Sequence, residues 1–435
     1  MELKEGYKQT DVGVIPEDWE LLELPKLYSI ERNASYSRAD TVNNGPVKYL
    51  HYGDIHTGLS GLIHRNEIPE AISQDDSKGY HLLCSGDVVL ADASEDIEGV
   101  GAAVEIFNPN NEACIAGLHT IVLSLINNNV ATGFGALFSK MPIVGSQFRF
   151  YAAGLKVFGL SKSNIRKVIL PLPPFQEQQA IAEVLSDVDA EIESLARRHE
   201  KLLNQKQGLS EELLSGRIRL VEPKSKGFKQ TDVGVIPEDW GVKTLESIAD
   251  VVDPHPSHRA PEIDVQGIPF YGIGDLTEDG TPLNNSPRLV PNDVLVDHIK
   301  RYDLSNPSLA LGRVASIGKV IDLKNVRQDF ALSPTLGVIT ANYIQHIYLK
   351  HILEFRTTSE QFDKIQSGST RSSVGMNVLR ELLVVLPPLL EQKAIAEVLS
   401  DVDAEIRAVA KLKAKVQAKK EGLMQTLLTG KIRLT

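Results

Sequence analysis

The chain has 435 residues, enough for two or more domains with separate cores. Its 46 Lys and Arg face 57 Asp and Glu, and the formal net charge of −11 by itself weighs against a nucleic-acid partner. Two cysteines, Cys84 and Cys114, exclude a disulfide framework and a Cys-rich zinc site. The start Met1-Glu2-Leu3-Lys4-Glu5 lacks the apolar core of a signal peptide, and no apolar run suffices to cross a bilayer, so the expected location is cytoplasmic.

In chain order, Tyr7 to Trp19 comes first, and Phe228 to Trp240 repeats it with only the first residue changed. A repeat of this length is a tandem duplication, not a solenoid period. Trp19 and Trp240 occupy identical turns and are expected to anchor cores. Next, Tyr49 to Ile55 matches Phe270 to Leu276, and Gly86 to Ala91 matches Asn292 to Asp297; both pairs are expected as turns entering short strands. Thr120 to Leu125 and Gly312 to Ile321 add further strands. Helical stretches follow near Phe134 to Phe150 and Tyr343 to Phe362, then glycine loops at Gly154 to Ser163 and Gly368 to Asn377. Lys224-Ser225-Lys226 is the natural join between the copies.

Each copy ends in a long amphipathic stretch, Leu172 to Leu220 and Leu386 to Leu434, with Ile181 to Ile192 repeated letter for letter at Ile395 to Ile406. The steps between apolar positions alternate four and three, which keeps one helix face apolar. Pro174 suits a first helical turn and Gly216 a left-handed end. About 40 residues make a rod of about 60 Å. Sustained spacing of this kind favours a coiled coil, and two matched rods in one chain have a partner in each other. The seam is Ile181, Leu185, Val188, Ile192, Leu195, His199, Leu202 and Lys206 in the first rod. In the second it is Ile395, Leu399, Val402, Ile406, Val409, Lys413, Val416 and Lys420. The polar members are expected to fix register at a cost in stability, so replacing Lys206 and Lys420 with Leu should raise stability and loosen register. The second rod is locally basic, from Lys411 to Lys420, so the acidic total hides basic patches.

No Walker loop or nucleophile elbow is present, and Gly99-Val100-Gly101 lacks the third glycine of a dinucleotide fingerprint. His255-Pro256-Ser257-His258 lacks helical ligand spacing and reads as a loop; Asp92, Glu95, Asp96 and Glu98 read as a solvated acidic loop, and His51, His56 and His64 as surface or turn histidines. No metal is expected. The glycine loops are more suggestive. Arg149, Lys156, Lys162, Ser163, Asn164, Arg166 and Lys167 crowd the first. Thr370, Arg371, Ser372, Ser373 and Asn377 hold the same place in the second. Such residues bind phosphate oxygens and read base edges, so they are the candidate DNA contacts.

The Gly-Val-Ile-Pro-Glu-Asp-Trp openings and the doubled Leu-Pro-Pro-x-x-Glu-Gln helix starts, with Ser/Thr-Gly-Lys/Arg-Ile-Arg-Leu ends, resemble the specificity subunit of type I restriction-modification systems. The likeness covers essentially the whole chain. It implies an α+β protein with two tandem α/β target-recognition domains with largely β cores, each followed by a long helix, the helices pairing as an antiparallel coiled coil. The boundaries would be 1–168 and 223–382 for recognition and 169–222 and 383–435 for the helical spacers. Each recognition domain would read half of a split, asymmetric DNA site and resemble the small DNA-reading domain of certain N6-adenine methyltransferases. The rods would dock two modification subunits, which methylate adenine with S-adenosylmethionine, and a nuclease subunit can join. This chain itself would bind no cofactor and catalyse nothing. The recognition domains vary within the family, so the DNA-contact candidates rest on chemistry and loop position alone. The rival reading is a coiled-coil assembly adaptor that does not touch DNA.

Overall fold

The computed structural model describes residues 5–434 apart from 43, 223–226, 256, 258, 259, 284, 285, 315, 326–328 and 367–372. The chain forms two compact units: unit 1 comprises 1–197 with 411–435, and unit 2 comprises 198–410. The units cut across the sequence repeat, because each takes the start of one rod and the end of the other.

In unit 1 a five-stranded sheet has the order Tyr28–Glu31, Thr120–Leu125, Val88–Ala91, Ala103–Phe107 and Gly61–His64. All its pairs are antiparallel except the last. A smaller sheet joins Cys114–Ala116, Val47–Leu50 and Ala71–Ile72. In unit 2 the order Ala249–Val252, Leu336–Ala341, Ser308–Gly312 and Val320–Asp322 repeats the first four strands of that sheet, all antiparallel. Arg288–Val290, Ile268–Tyr271 and Ala331–Leu332 form its smaller sheet. Val88, Val89, Leu90 and Ala91 are all buried, as are Leu309, Ala310 and Leu311, which is why these central strands read as continuous apolar runs.

Three strand expectations need correction. Asn292–Ile299 is a helix, and the central strand of unit 2 is Ser308–Gly312. Val294-Leu295-Val296 has strand composition, but it follows Pro291, and Val294 and His298 turn inward at i, i+4 spacing while Val296 stays exposed. Tyr52–Thr57 is also a helix; the strand lies before it at Val47–Leu50. Asp54 closes that turn by accepting from the backbone N–H of His51 at 2.9 Å, and Asp275 does the same for Gly272 at 2.7 Å. The run Gly312 to Ile321 is two strands, Ser308–Gly312 and Val320–Asp322, joined through a turn. Lys224 to Lys226 lie outside the described residues.

The rods are the helices Phe175–Leu214 and Leu389–Leu427. Gly216 and Gly430 terminate them with φ of 73° and 67°; a side chain at either would also collide with Pro237 or Pro16. Within each unit the two helices run antiparallel. In unit 1 Asp189 meets Lys420 at 2.5 Å and Glu177 meets Arg433 at 2.7 Å. In unit 2 Lys206 meets Asp403 and Arg198 meets Glu405, both at 2.7 Å, and Arg219 meets Glu391 at 2.6 Å. The seam residues Ile181, Leu185, Val188, Leu195 and Leu202 are buried, as are Ile395, Leu399, Val402, Val409 and Val416. Ile192, His199, Lys206, Ile406, Lys413 and Lys420 are half-buried.

The rods also complete the cores. Ile181, Leu185, Leu427 and Leu428 pack with Trp19, Tyr28 and Phe134 in unit 1. Leu213, Leu214, Ile395 and Leu399 pack with Trp240, Tyr348 and Leu349 in unit 2. The repeated motifs converge at the rod bases. Arg433 makes a two-pronged contact to buried Glu177 at 2.7 and 2.8 Å and reaches Asp18 at 2.6 Å; the Trp19 indole N–H donates to Glu177 at 3.0 Å. In unit 2 Arg219 grips Glu391 at 2.6 and 2.7 Å and Asp239 at 3.0 Å, and Trp240 donates to Glu391 at 2.9 Å. Planar guanidinium-to-carboxylate forks of this kind fix orientation as well as energy. The neighbouring glutamines tie the rods to their domains: Gln178 accepts from the N–H of Ala131 and Gln392 from that of Gln345, both at 2.9 Å.

Candidate nucleic-acid interface

In unit 1 the sheet, the helix Tyr52–Thr57 and the glycine loop contribute to one edge. Asp92 follows the strand Val88–Ala91; its N–H donates to the His119 carbonyl at 3.0 Å and its carbonyl accepts from Leu160 at 2.8 Å. Its carboxylate faces His119 Nδ1 at 3.3 Å. Burial raises the Asp92 carboxyl above its usual range, and His119 and Lys162 partly offset this. The Lys162 ammonium donates to Asn33 Oδ1 at 3.0 Å and to the Glu31 carbonyl at 3.2 Å, while the Asn33 amide donates to Gly117. The Tyr52 ring contacts those of His51, His56 and His119, with centroids 4.5 to 6.0 Å apart. The edge therefore mixes donors, acceptors and aromatic faces within a few ångströms, the repertoire that reads base edges and backbone.

The other candidates of unit 1 are less gathered. Ser161 caps the short helix Lys162–Ile165, and its hydroxyl lies 2.8 Å from that of Ser163. The Asn164 amide donates to Tyr151, Lys167 lies over the Tyr151 ring, and Arg166 is exposed. Lys156 stands exposed at the loop tip. Arg149 is drawn away to Glu98 at 3.0 Å.

In unit 2 the same backbone frame carries different side chains. Arg313 donates its N–H to the Thr335 carbonyl at 2.8 Å and accepts from Val374 at 2.9 Å, as Asp92 does with His119 and Leu160. The position occupied by an acid in unit 1 thus holds a base in unit 2. Its guanidinium meets Asp253 at 3.0 Å and the Val374 carbonyl at 3.0 Å. His255 Nδ1 lies 3.1 Å from His298 Nε2, and the Tyr302 hydroxyl lies 3.2 Å from His298 Nδ1. Burial, with help from His255 and Arg301, pushes His298 down to about 4. Ser373 bridges to Val314, and Asn377 accepts from Arg380 at 3.1 Å. Thr370, Arg371, Ser372 and His258 lie outside the described residues.

Sequence reasoning missed Asn33, Tyr52, His119, Asp253 and Arg313. None sits in a glycine loop; strand order brings them there. The available signal was weak: each follows or precedes an apolar strand at its polar end. Among the described residues no group of three His, Cys, Asp or Glu is placed to hold a metal, and no helix is long and apolar enough to cross a membrane. A groove of about 1090 Å³ in unit 1 lies elsewhere; it runs beside the first rod past Glu67, Glu183, Asp189 and Glu193 and contains none of the loop candidates.

Two mixed α/β units with matched strand frames, unlike side chains at their edges and helices that contribute to both define a duplicated protein. The family model described as type I restriction modification DNA specificity domain matches residues 16–204 and 237–418, and the chain belongs to that family. DNA recognition is the family's role, and this chain is a non-catalytic specificity subunit with two tandem recognition domains. It is 28% identical over 440 residues to the type I restriction enzyme MjaVIII specificity subunit of Methanocaldococcus jannaschii, covering 99% of this chain and 97% of that one. It is 21% identical to the EcoKI specificity subunit of Escherichia coli, over 96% of this chain and 89% of that one. In fold it resembles the type I restriction-modification S subunit from M. genitalium, with a TM-score of 0.58, 12% identity and 98% coverage of both chains. A second likeness, with a TM-score of 0.53 and 16% identity over 96% of this chain and 99% of the other, is to a chain from work on assembly and conformational transition of the type I system.

Proposed function

We propose that the chain reads a split, asymmetric DNA site, each unit addressing one half-site through the edge that holds Asp92 or Arg313. The observation that carries this is the reversal of charge on a matched backbone frame. A carboxylate accepts from cytosine or adenine amino groups, whereas a guanidinium donates to guanine, so the two edges suit different bases. The paired rods act as a spacer, as in a coiled coil whose register sets half-site separation. Their outer faces, and the acidic groove beside the first rod, dock two modification subunits, with nuclease subunits joining for cleavage. S-adenosylmethionine belongs to the modification subunits and this chain needs no cofactor. Partner subunits supply much of the phosphate contact, which reconciles DNA reading with a net charge of −11. The complex works on DNA in the cytoplasm.

Methylation mapping of host DNA tests the reading. Asp92→Asn and Lys162→Ala should relax or change bases in one half of the methylated motif, and Arg313→Gln bases in the other. An unchanged motif in all three, in a host with an active system, would sink direct reading and favour the adaptor.

A further inference from the structure

The glycine loop of unit 1 ends in an apolar tip. Ala153 and Gly159 exchange backbone hydrogen bonds of 3.0 and 2.8 Å, and Phe158–Gly159 pairs with Ala93–Ser94, so the base of the loop is anchored to the domain. Gly154, at φ 151°, lies against the Val157 carbonyl, where any side chain would collide, so the turn is tight. On this anchored turn Leu155 is 99% exposed and Val157 55%; Phe150, on the helix leading into it, is 81% exposed. Single exposed apolar residues are ordinary, but three around one turn mark a contact surface. The positions 214 further on are Lys364, Ser369 and Arg371, so the repeat does not carry these three apolar residues.

Charge identifies the occupant. Lys156, Lys162, Arg166 and Lys167 flank the tip in sequence; Lys162 faces the Asp92 carboxylate at longer range, and the other three meet no carboxylate among the described residues. Lys162 is bound to neutral oxygens and Lys167 lies over the Tyr151 ring. An apolar tip flanked by Lys156, Arg166 and Lys167, which have no carboxylate partner among the described residues, fits a polyanion with an apolar interior, which is duplex DNA: phosphates outside, stacked bases within.

Building on the DNA-reading role proposed above, we propose that Phe150, Leu155 and Val157 form a wedge that enters and unstacks a base step in the half-site addressed by unit 1. Pyrimidine–purine steps unstack most easily, so the wedge would select TA or CA/TG there without a hydrogen bond to either base. Unit 2 would read its half-site without such a wedge.

The test uses the full chain assembled with its modification subunit and duplexes carrying the mapped motif. 2-Aminopurine is placed singly along both half-sites, away from the methylated adenines. One step in one half-site should brighten on binding. Combining Leu155→Ser with Phe150→Ala should abolish that rise and weaken binding about tenfold. Lys156→Ala should weaken binding more at low salt and leave the rise intact. A bound wild-type complex with no bright step, or the same rise in the double variant, overturns the wedge and leaves DNA reading standing. Loss of the modification subunit from the double variant with the rise unchanged overturns it in favour of a protein contact. Failure of the wild-type complex to bind the duplex would sink DNA reading itself.

Discussion

Glu177 and Glu391 are almost fully buried carboxylates, each held by one guanidinium and one indole N–H. Removing the guanidinium leaves a buried charge with only the indole, a loss of about 3–5 kcal/mol. Arg433→Ala should therefore lower the urea midpoint of unit 1 while hydrogen exchange in the Ser308–Gly312 strand of unit 2 stays protected; Arg219→Ala should do the reverse. Tyr7, the one residue of its repeat that differs, donates its hydroxyl to the Gly430 carbonyl at 2.7 Å, a bond Phe228 cannot make. His298 gives a pH signature. It is buried neutral with its pKa pushed down to about 4, so the unfolded chain binds its proton first as pH falls. Above the ordinary histidine value near 6.5 it costs nothing, and between there and about pH 4 unit 2 progressively loses stability. Comparing urea midpoints with those of His298→Gln across pH 7 to 4 isolates this effect: the wild type should fall faster, and parallel curves would refute it. All the partners in these locks stood in the repeated motifs. Their union was not legible, because Arg433 and Glu177 are 256 positions apart and pair only once the rods run antiparallel.

At the level of elements, the rods were the most legible part. Their spacing, Pro174 and Gly216 give limits that agree with Phe175–Leu214. The strands were less so, because a short apolar run such as Val294 to Val296 suits strand and helix alike until its burial is known. The seam lysines show how structure alters an energetic expectation. Lys206 is paired with Asp403, which is 8% exposed, while Lys420 is paired with Asp189, whose side chain is 47% exposed. Lys206→Leu takes from buried Asp403 its nearest cation, leaving it only Lys350 and His351 at 4.0 Å, and also takes a cation from Glu354; it should destabilise unit 2 on the order of 1–3 kcal/mol, contrary to the gain expected from an apolar seam alone. Lys420→Leu should be near neutral, since Asp189 keeps water. Adding Asp403→Leu to Lys206→Leu should restore the urea midpoint. If Lys206→Leu alone raises it, the pair with Asp403 is not a stabilising one.

For the molecule as a whole, the sequence suggested two consecutive modules, each with its own rod. The structure interleaves them: unit 2 is one continuous segment, and unit 1 is closed by residues 411–435. A chain lacking 411–435 should therefore lose protection in unit 1, although the deletion lies on the far side of unit 2 in sequence; amide exchange resolved by peptide would show it. The interleaving also orders events at the ribosome. Every residue of unit 2 is synthesised before Arg433, Leu427 and Leu428 exist. Until those arrive, Glu177 lacks its guanidinium and the unit 1 core lacks Leu427 and Leu428, so the module translated first should be the last to mature. Nascent chains stalled on an unstructured linker placed after residue 410, long enough to clear the exit tunnel, should yield a protease-resistant unit 2 beside a cleavable unit 1, a state in which chaperones would be needed for the earlier-made half.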